Sequence, residues 1–126
     1  RSAEETLVMV VDDSKVVRMV ARRMLEEMQF QVSEAADGKQ AIDACQKKMP
    51  DSVLLDWNMP VMNGIEFLRA LRKLPGGKKP TVVFCTTEAD VSRITEAIES
   101  GANEYIMKPF DADILASKFQ QVGLIA

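Results

Sequence analysis

The sequence predicts an α/β protein in which five strand-helix units build a doubly wound, parallel, five-stranded sheet. Three observations carry that prediction. Four short runs are apolar without alternation: TLVMVV (6–11), SVLLDW (52–57), TVVFCTT (81–87) and EYIMK (104–108). Unbroken apolarity over so few residues describes strands covered on both faces, as in a parallel sheet. Between these runs apolar residues recur at helical spacing, so strands and helices alternate and right-handed crossovers return each strand to a parallel neighbour. Turn-forming clusters fall at the junctions: DG at 37–38, NG at 63–64, PGGKKP at 75–80 and SGAN at 100–103.

Strand 1 covers 6–11. The helix after it has the clearest stripe, Val17, Val20, Ala21, Met24, Leu25 and Met28, at i, i+3, i+4, i+7, i+8 and i+11. FQVSEA (30–35) is less apolar and reads as an edge strand. Ala41, Ile42, Cys45 and Met49 mark a second helix before strand 3 (52–57); Ile65, Leu68 and Leu71 a third before strand 4 (81–87). Val91, Ile94 and Ile98 mark a fourth before strand 5 (104–108), and Ile114, Leu115, Phe119 and Val122 a fifth. In the strand order 2-1-3-4-5 the winding reverses between strands 1 and 3, and a ligand crevice opens at their carboxyl ends.

A chain of 126 residues is long enough for one core and too short for two, so residues 1–126 are expected to form a single domain. Apolar residues make up 47% and charged residues 28%, values of an ordinary globular chain rather than a disordered or coiled-coil one. With 16 basic and 19 acidic residues the net charge is -3, which offers no general attraction to nucleic acid or to anionic membranes. RKLPGGKK (72–79) is the one basic run, and a solvated loop is the expected reading of it. The start, RSAEETLVMVV, lacks the pattern of a secretory signal, and no apolar run approaches the roughly 18 residues of a membrane span, so a cytoplasmic location is expected. Cys45 and Cys85, without CxxC spacing or any histidine, read as reduced core thiols.

The chemistry gathers at the strand ends. Asp56 stands directly against the apolar run of strand 3, where a carboxylate is costly to desolvate. With strands 1 and 3 adjacent, Asp12 and Asp13 join it, and three carboxylates at such spacing repel one another unless a cation is present. Hard oxygen donors without Cys or His favour Mg²⁺ over zinc. Helix capping accounts for one acid in DDS, and a turn accounts for Asp56 before Asn58 and Pro60, but neither explains all three. Strand 4 ends in Thr86 and strand 5 in Lys108, adding a hydroxyl donor and an ammonium. A nucleophilic carboxylate, a metal, a hydroxyl and a cation are what transfer of a phosphoryl group onto a carboxylate requires.

Taken together, VMVVDDSKVVR, DWNMPVMNGIEFL, TTEAD and GANEYIMKPF closely resemble the receiver domains of two-component response regulators, and among those the stand-alone chemotaxis regulators of the CheY kind. The resemblance spans nearly the whole chain and implies a flavodoxin-like (βα)5 fold. It implies that Asp56 is the phosphoacceptor and that Asp13, Asp56 and the main-chain carbonyl of Asn58 ligate Mg²⁺, with Asp12 supporting metal-bound water. Thr86 and Lys108 would hold phosphoryl oxygens, Tyr105 matches the switch aromatic, and the bond before Pro109 is expected to be cis. Asn58 and Glu88 match the positions that tune hydrolysis.

A phosphoryl group brings roughly -1.5 to -2 charge and new acceptor oxygens. Thr86 would swing inward to donate, and the ring of Tyr105 would enter the volume it leaves. Inverting a 1:99 equilibrium takes about 5.5 kcal/mol, which two or three hydrogen bonds to charged groups, at about 1.5–3 kcal/mol each, would supply. The altered surface is helix 4, strand 5 and helix 5, about residues 90–121, and output is expected by docking, since no DNA-binding or catalytic domain is appended. With no histidine the chain needs a separate phosphodonor, a histidine kinase or phosphotransfer protein. The expected class is a monomeric phosphoacceptor with self-catalysed transfer and hydrolysis, not a turnover enzyme, with the flagellar motor switch as output partner and a phosphatase as a further one. Other outputs are a phosphate sink or a cell-cycle or stress regulator. A flavodoxin-like FMN binder would need a Ser/Thr/Gly-rich phosphate loop where DDSK stands. A phosphatase of the haloacid dehalogenase kind would need a DxD arrangement and a longer chain.

Overall fold

The computed structural model describes residues 2–125. Strands β1 (Leu7–Val11), β2 (Gln31–Ala35), β3 (Ser52–Asp56), β4 (Thr81–Thr86) and β5 (Glu104–Met107) form one parallel sheet in the order β2-β1-β3-β4-β5. Helices α1 (Lys15–Glu27), α2 (Gly38–Lys47), α3 (Gly64–Lys73), α4 (Arg93–Glu99) and α5 (Ala112–Gln121) follow the strands in turn. Because successive strand residues point to opposite faces, Val8 and Val10 join Leu54 and Val83 beneath α1 and α5, where Ala21, Leu25, Leu115 and Phe119 complete one core. Met9 and Val11 join Val53, Leu55 and Phe84 on the other face, closed by Cys45 of α2, Phe67, Leu68 and Leu71 of α3, and Ala97 of α4. The unbroken apolar runs of β1, β3 and β4 therefore serve two cores at once. β2 has a single neighbour and keeps exposed Gln31 and Glu34.

Local chemistry ends the strands and starts the helices. Ser14 Oγ accepts from Val17 N at 3.3 Å, Asp37 from Gln40 N at 2.8 Å, and Asp111 from Ile114 N at 2.9 Å, each satisfying an otherwise unpaired first-turn amide. At 63–64 the NG pair is a helix start rather than a loop: Asn63 accepts from Glu66 N at 2.9 Å while Glu66 accepts from Asn63 N at 3.0 Å.

Helix α4 differs from the stripe predicted for it. Val91 precedes the helix and is exposed, Ile98 is exposed, and Ala97 is the buried residue. The helix spans only seven residues, and it approaches the sheet through its one small side chain, which leaves two larger apolar groups facing water.

The basic run 72–79 is not wholly solvated. Arg72, on the last turn of α3, donates to the carbonyls of Gly77 (2.9 Å), Pro80 (2.8 Å) and Gly101 (2.7 and 3.1 Å) and to Asn103 Oδ1 (3.1 Å). It thereby ties together the loops that enter β4 and β5. Cys45 and Cys85 are both buried free thiols. Among the described residues no helix is long and apolar enough to cross a membrane.

Candidate functional site: an acidic cleft at the carboxyl end of the sheet

The register β1 to β3 pairs Val11 with Leu55, so the next residue of each chain, Asp12 and Asp56, leaves the sheet side by side. Asp12 is 4% exposed and Asp56 8%, whereas Asp13 faces outward. One carboxylate oxygen from each of the three lies within 4.8 Å of the other two. Lys108, which follows β5, extends its ammonium between two of them, donating to Asp56 Oδ1 at 2.8 Å and Asp12 Oδ2 at 3.0 Å. The other Asp12 oxygen accepts from Ser14 N at 2.9 Å.

The electrostatics follow from burial and these contacts. Burial pushes the Asp56 carboxyl above its ordinary range; the Lys108 hydrogen bond and charge pull it back, and Asp12 and Asp13 push it up again. Burial alone would lower Lys108, but its bonds and charge pairing with Asp56, then Asp12, outweigh that and hold the ammonium well above its ordinary range. Both groups can be raised at once because burial dominates at Asp56 while Lys108 is paired with two carboxylates.

These residues line a cleft of about 240 Å³ together with Asn58, Trp57, Thr86, Thr87 and Asp90. Thr86 is buried, and its hydroxyl donates to the Thr87 carbonyl at 3.3 Å. Glu88, in the short turn after β4, is exposed and outside the cleft lining. Tyr105 stands away from the cleft, half-buried, with Lys118 Nζ 4.5 Å from its ring centroid. The bond between Lys108 and Pro109 is cis. The structure thus brings Asp12, Asp13, Asp56, Asn58, Thr86 and Lys108 together and sets Tyr105 and Glu88 apart.

Three contributors to the site were not assigned to it by the sequence reading. Gly64 donates to the Trp57 carbonyl at 2.9 Å, and a Cβ there would collide with the Asp56 carbonyl oxygen, so only glycine lets α3 start against the strand end. Arg18 donates to the Asp12 carbonyl at 2.7 Å. Arg93 stacks over Trp57, its guanidinium carbon 4.0 Å from the ring centroid. The glycine had a signal, since it directly follows a capping Asn; the two arginines are set by distant segments and had none.

The end of this 2-1-3-4-5 sheet thus carries three clustered carboxylates, two of them paired with one lysine, and a family model described as response regulator receiver domain matches residues 8–120. The chain belongs to the response regulator receiver domain family. This receiver domain is 46% identical over 107 residues to protein CcdB of Bacillus subtilis, covering 84% of this chain and 88% of the relative. It is 35% identical over 116 residues to chemotaxis protein CheY of Pseudomonas aeruginosa, covering 91% and 94%. Vibrio cholerae chemotaxis protein CheY4 superposes with a TM-score of 0.87 at 34% identity, over 93% of the receiver domain and 98% of that chain. The parallel order and five flanking helices match that CheY structure.

Proposed function

We propose that this receiver domain takes a phosphoryl group onto Asp56 from a histidine kinase or phosphotransfer protein and uses the added charge to alter a docking face for an output partner in chemotaxis. The observation that carries the reading is Asp56 itself: a buried carboxylate, hydrogen-bonded to Lys108, within 4.8 Å of two further acids in an open cleft. The donor set consists of hard oxygens only, which suits Mg²⁺. Asp12, Asp13, Asp56 and the main-chain carbonyl of Asn58 would hold that ion. Bound there, Mg²⁺ supplies positive charge that offsets the carboxylates and the oxygens of the transferring group.

In the transfer, an Asp56 carboxylate oxygen forms a bond to phosphorus as the bond from phosphorus to the donor's imidazole nitrogen breaks, its electron pair leaving with the imidazole. Lys108 keeps its proton and hydrogen-bonds a phosphoryl oxygen. Thr86 exchanges its bond to the Thr87 carbonyl for a phosphoryl oxygen, and the Tyr105 ring leaves Lys118 for the space vacated. Val91 before α4, Ile98 on α4 and Ile114 on α5 are exposed large apolar groups available to an interface. The chemistry is self-modification followed by hydrolysis, with Asn58 on the cleft rim and Glu88 beyond it tuning access of water.

The test is addition of acetyl phosphate with Mg²⁺. The intact mass should rise by one phosphoryl group and the emission of Trp57, beside the acceptor, should change. Asp56→Asn should abolish both; a phosphorylated Asp56→Asn protein sinks the assignment. Capture with the beryllofluoride-treated chain then separates outputs. Recovery of a flagellar switch protein supports the motor reading, and recovery of a kinase alone supports a phosphate sink.

A further inference from the structure

The β1 to α1 turn carries two of the three acids, yet their orientations are controlled very differently. Asp12 has both carboxylate oxygens hydrogen-bonded, one to Ser14 N and one to Lys108. Asp13 is exposed, and among the described residues nothing donates to its carboxylate. Its direction depends on the peptide plane that joins it to Asp12. One side of Asp12 is held by the sheet, its N–H donating to the Ala35 carbonyl at 3.1 Å. The carbonyl of that joining plane is held by Arg18 Nη1 at 2.7 Å.

Arg18 is itself aimed by β2. Its Nε donates to Glu34 Oε1 at 3.1 Å, while Arg22 Nε, one turn further along α1, takes the other oxygen at 2.6 Å. The Arg18 side chain is only 15% exposed, while the Glu34 carboxylate that aims it is 28% exposed. The Arg22 hydrogen bond, opposed by burial and helped by Arg18, holds the Glu34 carboxyl below its ordinary range, so it is charged at neutral pH. The planar fork of a guanidinium spans a carboxylate on one side and a carbonyl on the other; an ammonium cannot do so in fixed geometry.

We infer that Arg18, aimed by Glu34, is a positioning residue for divalent-cation binding: it fixes the peptide plane between Asp12 and Asp13 and thereby the direction in which Asp13 meets the cation. The inference rests on the Mg²⁺ reading above and extends it to residues outside the cleft. Its sign is opposite to the one charge alone would give. Arg18 is a cation near a cation site, so by field alone its removal tightens Mg²⁺ binding. By positioning, its removal weakens binding, and loss of a supporting group around metal ligands costs roughly 10-fold or more in affinity.

The experiment is a Mg²⁺ titration of the full chain followed by Trp57 emission, repeated by calorimetry, on wild type, Arg18→Met, Arg18→Lys and Glu34→Gln. The expected result is a Kd for Mg²⁺ raised roughly 10-fold in Arg18→Met. Arg18→Lys should bind nearly as weakly, since it restores charge without the fork, and Glu34→Gln should fall between. Arg18→Lys also serves if Arg18→Met does not fold. Unchanged or tighter binding in a folded Arg18 variant, or full rescue by Lys, overturns the inference. Failure of the wild type to respond to Mg²⁺ overturns the parent reading instead, so the two failures are distinguishable.

Discussion

Replacing Lys108 by Met keeps an unbranched stem but removes the cation between Asp56 and Asp12, whose side chains are 11% and 5% exposed. Removing one partner of a buried pair costs about 3–5 kcal/mol because the remaining charge has no counterpart. A ceiling operates here, since the cluster can always relieve itself by taking up one proton. Holding one carboxyl of ordinary pKa near 3.9 neutral at pH 7 costs about 4 kcal/mol, at about 1.36 kcal/mol per unit. Lys108 is itself 23% exposed, so water already screens part of the pairing. The expected loss is therefore about 2–4 kcal/mol in EDTA, a fall of about 1–2 M in the urea midpoint at an ordinary m value. Mg²⁺ reverses the argument, because the variant has lost the ammonium that competes for the same oxygens. Free Mg²⁺ at 100-fold over Kd adds about 2.7 kcal/mol to any protein that binds it only when folded, and the variant should gain more than the wild type at equal Mg²⁺. Urea unfolding in EDTA and in Mg²⁺, monitored at Trp57, measures both. An equal deficit in the two buffers would refute the reasoning, because it would mean that the acids are not held in competition between lysine and metal.

Arg72→Met should cost about 2–4 kcal/mol in urea unfolding, since four acceptors lose a charged donor but some regain water, and Arg72→Lys should recover little of it. A loss below 1 kcal/mol would show the loops to be held by other means. Val61→Asn should stabilise by about 1 kcal/mol: Val61 has φ 68° in a three-residue turn closed by Met62 N donating to the Pro60 carbonyl at 2.7 Å, a conformation costing an L residue about 1–2 kcal/mol that Asn tolerates. Val61 is 79% exposed, so the change forfeits little packing; a lowered melting temperature would contradict the assignment of strain. Burial pushes the Cys45 thiol up to about 11 and Cys85 further, so at pH 8 only about one Cys45 in a thousand is thiolate. Neither should react with a disulfide reagent until urea unfolds the chain, and prompt native reaction would show an opening that the fold does not contain.

The sheet and the cleft were legible because their signals are local and redundant. An apolar run bounded by a carboxylate marks both a central strand and what lies at its end, and β1, β3, β4 and β5 each carry such a polar terminus. Helix α4 was less legible. Its stripe of Val91, Ile94 and Ile98 has helical spacing, but the helix is short and rests on Ala97, so periodicity pointed to the wrong face. Arg18 and Arg72 were not legible as structural residues at all. Most of their acceptors are main-chain carbonyls, and a carbonyl leaves no trace in the order of side chains. Asn63 and Gly64 were seen and misassigned, because the pair that makes a tight turn also makes a helix cap and a close backbone approach.

The stacking of Arg93 on Trp57 gives the indole two neighbours of different kind: the Asp56 carboxylate one residue before it in the chain, and the first turn of α4 above its face. Any displacement of that helix uncovers the ring even when the cleft is unaltered, and any change in the cleft alters the field on the ring even when the helix stays put. Under the proposed function, a single fluorophore would thus record cause and response together. Kinetic separation of the two spectral phases, with Arg93→Ala lacking the second, would time the passage of the signal from strand end to surface.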